Sequence, residues 1–144
     1  SIVAKLDKQY QATPYPSFAH LLLAKSAVDN HQLSDALTQL TWVQDHGRVD
    51  AFQTLAALRK ARVLLAMKDY EKARALLLTI KGKVYKGQVA LIQGDIYQAE
   101  GNIEQARKAY QAAQQALNDL GATDPLLAMK LAQLGKANTS SDDA

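Results

Sequence analysis

A chain of 144 residues, 48% of them apolar, is long enough for one domain with a continuous core. It holds no cysteine, which excludes a disulfide framework and any thiolate metal site. The net charge of +3 hides an uneven distribution: four Lys/Arg face five Asp/Glu in residues 1–58, nine face two in 59–86, and four face seven in 87–144.

Alanine, leucine, glutamine and lysine dominate, all strong helix formers, and the three prolines, Pro14, Pro16 and Pro125, stand near the ends. The predicted elements in chain order are helices over about 2–12, 17–29, 32–46, 50–67, 69–80, 84–100, 102–120 and 125–134. A polar stretch over 136–144 is expected to be a disordered tail. Asp69 and Asn102 stand where second helices begin and suit unpaired N–H groups there, and Asp124-Pro125 reads as a cap followed by proline in the first turn. The longest apolar runs, such as Leu21–Ala24 and Val63–Met67, fall far short of the roughly 20 residues that span a bilayer.

Three segments share one pattern. A small residue (Ala24, Ala61, Gly94) precedes an alanine (Ala36, Ala73, Ala106) by 12 positions. An apolar residue (Leu33, Tyr70, Ile103) always falls three positions before that alanine. Leu40 and Val43, Leu77 and Ile80, and Tyr110 and Ala113 follow it at four and seven. The copies start 37 and 33 residues apart, with the slack near Gly47 and Gly82. Small residues at both registers let two antiparallel helices approach closely, and the apolar seam must be covered by the next hairpin. This pattern resembles the tetratricopeptide repeat. The resemblance implies an all-α, right-handed superhelix of antiparallel helical hairpins over 1–135, with repeats at 17–46, 50–80 and 84–118 and a capping helix at 125–134. Residues 1–12 read as the second half of a hairpin whose first half lies upstream.

Chemistry is hard to find. His20, His31 and His46 show no metal-ligand spacing, the glycine–lysine pairs near Gly82 and Gly87 lack phosphate-loop spacing, and no serine has a nucleophile-elbow context. No catalytic residue, cofactor site or metal site is therefore expected. Asn138-Thr-Ser matches a glycosylation acceptor but says little in a polar tail.

The repeat resemblance implies a protein-binding groove lined by first helices: Phe18, Leu21, Lys25 and Val28; then Leu55, Leu58, Arg62 and Leu65; then Leu91, Asp95 and Gln98. Such a lining suits an apolar or amphipathic peptide, although burial between helices is an equal reading of Leu21, Leu58 and Leu91. Asp95 opposes a clamp for a C-terminal carboxylate. A basic surface is expected from Arg59, Lys60, Lys68, Lys72, Arg74, Lys81, Lys83 and Lys86, facing lipid or an acidic partner. Nucleic acid is not expected, because no aromatics interleave with these cations.

A narrower resemblance rests on Thr13-Pro-Tyr-Pro-Ser-Phe-Ala-His-Leu-Leu-Leu-Ala, Leu58-Arg-Lys-Ala-Arg-Val-Leu-Leu-Ala, Gly94-Asp-Ile-Tyr and Pro125-Leu-Leu-Ala-Met-Lys-Leu. These stretches are similar to the YfgM-like family of ancillary Sec translocon subunits. That resemblance implies an inner-membrane protein anchored by an upstream segment, with this domain in the periplasm. Its implied partners are SecYEG, a membrane-anchored periplasmic chaperone of the prolyl-isomerase type, and exported client chains. The competing reading is a cytoplasmic tetratricopeptide adaptor that binds an acidic partner in regulation.

Overall fold

The structure, a computed structural model, describes residues 2–142, with side chains through Gly135. Eight α-helices appear among the described residues: α1 (Ile2–Gln9), α2 (Tyr15–Asp29), α3 (Leu33–His46), α4 (Asp50–Ala66), α5 (Tyr70–Leu78), α6 (Lys86–Ala99), α7 (Ile103–Asp119) and α8 (Pro125–Asp142). A single 3₁₀ turn, Lys83–Tyr85, leads into α6, and no strand occurs among the described residues. The helices form two compact units, Ser1–Ile80 and Lys81–Ala144.

The 12-residue register sets the packing. Ala36, Ala73 and Ala106 are each fully buried, as are Leu40, Leu77 and Tyr110 one turn later. Leu33, Tyr70 and Ile103 are the first residues of α3, α5 and α7. A buried leucine at such a position contributes about 1.5–3 kcal/mol, so the register is held by core burial more than by helix propensity.

Each hairpin turns in the same way. The N–H groups of Gln32, Asp69 and Asn102 reach back to the carbonyls of Ala27, Leu64 and Tyr97 at 2.7, 2.9 and 2.9 Å. The residue before each of these, His31, Lys68 or Gly101, takes positive φ (58°, 63° and 79°). Of the expected caps, the Asp69 side chain accepts from the Lys72 N–H, whereas Asn102 makes no side-chain cap hydrogen bond. Asp124 accepts from the Leu126 N–H at 2.9 Å and starts α8 at Pro125.

In the first unit, α2, α3 and α4 share one core built from Leu21, Ala24, Leu40, Val43, Ala56 and Val63. The three-residue slack of the first repeat falls in the α3–α4 connection, where the Gln53 amide donates to the Gly47 carbonyl at 2.9 Å. α1 buries no residue of its own and is tied to α2 by Asp7, whose carboxylate lies 3.1 Å from His20 Nε2. The His20 ring is stacked on Trp42 of α3, 3.9 Å between centroids, and its Nδ1 meets the Gln39 amide at 2.6 Å.

In the second unit, Gly94 lets α6 lie directly on the Tyr110 ring of α7; an added Cβ would stand 2.4 Å from two ring carbons. Leu127 and Leu134 of α8 are buried against Tyr110 and Ala113, with Leu131 half-buried beside them. Leu126 and Met129 point away from that core and are exposed. α8 thus packs on the α6–α7 hairpin through Leu127, Leu131 and Leu134, and the helix runs on through Asp142. The side chains of that stretch, Asn138 included, lie outside the described residues.

Candidate functional site

The expected groove separates into residues that stay on the surface and residues that do not. Leu21, Leu58 and Leu91 are 5–7% exposed and serve helix packing, so they leave the groove. Leu55 and Leu65 are half-buried. Asp95 is also withdrawn. Its side chain is 10% exposed, accepts the Tyr110 hydroxyl at 2.6 Å, and is ion-paired with Lys130 of α8. Gln98 lies 2.9 Å from the same hydroxyl. A buried phenol needs a partner for its proton, and Asp95 supplies it; the carboxylate expected to face a ligand is spent inside the second unit.

In the first unit an open surface remains. Tyr15, Phe18, Leu22 and Lys25 fall at i, i+3, i+7 and i+10 and so share one face of α2. The three apolar members are 50–67% exposed. Phe18 meets Phe52 of α4 edge to face, 4.8 Å between ring centroids, so this face of α2 lies beside α4. Further along the same pair of helices a pit of about 310 Å³ opens between them. Its walls come from Val28 and Ala66, its base from Leu33 and Leu40 of α3, and Lys25, Arg59 and Arg62 stand around it.

Lys25, Val28 and Arg62 of the expected groove line this pit together with Arg59 of the expected basic surface, whereas Tyr15 and Leu22 are not among the expected groove residues. The spacing of Tyr15, Phe18, Leu22 and Lys25 was the available signal. It was masked because α2 is apolar nearly all round, from Phe18 to Ala24.

The expected basic surface is spread over several elements. Arg59 turns to the pit, Lys60 donates to Gln44 of α3 at 3.3 Å, Lys68 occupies the α4–α5 turn, and Lys72 pairs with Asp69 at 3.7 Å. Arg74 is half-buried, while Lys81, Lys83 and Lys86 belong to the second unit. A larger recess of about 680 Å³ lies between α1 and α3, but Asp7 and Asp45 oppose Lys8 and Arg48 around it, so it presents no single sign of charge. Among the described residues no group of three or more His, Asp or Glu side chains is placed to hold a metal, and no helix is long and apolar enough to cross a membrane.

Hairpins in this register, with an open face on α2, define a tetratricopeptide-type scaffold. The chain belongs to the tetratricopeptide repeat-like domain family, which matches residues 1–136. It is similar to proteins named ancillary SecYEG translocon subunit. The Aggregatibacter actinomycetemcomitans protein is 32% identical over 75% of this chain and 53% of its own length. The Neisseria gonorrhoeae protein is 30% identical over 92% of this chain and 63% of its own length. The Escherichia coli protein is 32% identical over 68% of this chain and 48% of its own length. The chain thus spans about half to somewhat under two thirds of these curated relatives. No solved structure matches it.

Proposed function

We propose that this chain is a non-catalytic protein-interaction module, the periplasmic part of an inner-membrane protein that works beside the SecYEG translocon. In this role it helps to hand exported chains to periplasmic chaperones, among them a membrane-anchored chaperone of the prolyl-isomerase type. The observation that carries the reading is the open apolar face of α2, where Tyr15, Phe18 and Leu22 are exposed in one row beside Phe52 of α4. Exposed aromatic and aliphatic side chains in one row are costly to leave in water and mark a surface that meets other proteins. The relatives' printed name, ancillary SecYEG translocon subunit, supports the translocon part of this reading.

The test is photocrosslinking in cells from a reactive amino acid at position 18 or 22 of the full-length protein. Adducts with translocon subunits, the chaperone or exported chains are expected. Recovery of the full-length protein in the soluble cytoplasm, with adducts to cytoplasmic proteins only, would sink the proposal and favour a cytoplasmic adaptor.

A further inference from the structure

The pit between α2 and α4 combines two properties that select a ligand. Its inner surface is aliphatic, from Val28, Leu33, Leu40 and Ala66, and the charged side chains that line it are Lys25, Arg59 and Arg62, with no carboxylate among them. All of it lies inside the first unit. At about 310 Å³ it sits at the small end of ligand pockets, with room for a branched aliphatic side chain. The apolar surface continuing from it is an open row on a helix, Leu22, Phe18 and Tyr15, rather than a tunnel.

We propose that this pit captures the aliphatic anchor of an acidic peptide segment in a partner protein. An isoleucine, leucine or valine enters between α2 and α4, carboxylates flanking it pair with Lys25 and Arg59, and further apolar residues lie along Leu22, Phe18 and Tyr15. The proposal rests on the protein-interaction reading and names the chemistry of its partner. The aliphatic base supplies affinity by burial, while the cations supply selection, because a basic segment with the same anchor meets like charge at the rim.

The experiment uses the full chain and a short fluorescent peptide with one isoleucine flanked by glutamates, read by anisotropy. Binding that falls as salt rises is expected, with loss when the isoleucine is replaced by serine. Lys25→Glu or Arg59→Glu exchanges an attraction for a repulsion and should weaken binding about fivefold to tenfold. Val28→Glu, at the wall of the pit, should abolish it. Lys108→Glu, at an exposed position of α7, makes the same change in net charge and should leave it unaltered. Circular dichroism confirms that each variant is folded. Equal binding by the serine peptide, equal effects of Lys108→Glu and Arg59→Glu, or competition by anionic phospholipid vesicles as effective as unlabelled peptide would overturn the proposal. Translocon crosslinks that persist in Arg59→Glu alongside unweakened peptide binding would remove the pit and keep the wider function. Crosslinks lost in position-18 and position-22 probes while peptide binding stays intact would do the reverse.

Discussion

His31, Lys68 and Gly101 occupy one register and adopt one conformation, but only the glycine does so without strain. A left-handed backbone costs a residue with a Cβ about 1–2 kcal/mol, part of which glycine gives back through its freer unfolded chain. Both non-glycine side chains are exposed and the turn is closed by backbone bonds alone, so nothing local compensates. Lys68→Gly and His31→Gly should each raise stability by about 0.5–1 kcal/mol, seen as a higher urea midpoint at unchanged slope. Gly94 poses the opposite problem. Gly94→Ala drives a methyl group into the buried Tyr110 ring, and about 1–3 kcal/mol of destabilisation is expected in the same assay. Both residues were visible in the sequence as members of the repeat. What was not visible was the Tyr110 hydroxyl, whose need for a partner turns Asp95 inward and removes it from the surface.

At the scale of elements, the helices followed from the sequence because a register recurring three times constrains each boundary by its counterparts. Leu33, Tyr70 and Ile103 all open their helices for the same reason, burial of the alanine three residues on. The binding face was harder to read, since α2 carries Leu21, Leu22 and Leu23 in a row and only packing decides that Leu21 turns in while Leu22 turns out. α1 could be read only in outline. With no fully buried residue it is held by half-buried Val3 and Leu6 and by Asp7 to His20, while the Arg48 Nε–H ties down the chain just after it at the Gln11 carbonyl, 3.1 Å away. Asp7→Ala leaves His20, itself buried, without its carboxylate, a loss of about 1–3 kcal/mol felt locally. Amide hydrogen exchange of residues 2–9 should accelerate severalfold while α3 and α4 keep their protection. Acceleration spread evenly over the first unit would mean that Asp7 supports the core rather than the docking of α1.

For the whole molecule, the question is whether charge acts through its total or through its position. The basic run of the sequence is one block on paper, but the fold sends Arg59 to an apolar pit, Lys60 to α3, and Lys81, Lys83 and Lys86 to the second unit. Sequence spacing could not foresee this, because neighbours on a helix face different ways and the block crosses a unit boundary. Replacing Lys81, Lys83 and Lys86 together with glutamine takes the formal net charge from +3 to zero without touching a residue that lines the pit. Net charge works at a distance and is screened beyond roughly 10 Å at ordinary ionic strength, so it changes mainly the rate at which an acidic peptide arrives. Position decides how long the peptide stays. Stopped-flow measurements should therefore find the triple variant slower in association by about twofold at low salt, with dissociation unchanged. Arg59→Glu should instead speed dissociation, and raising the salt should erase the first effect before the second, because charges in contact are screened less than charges farther away.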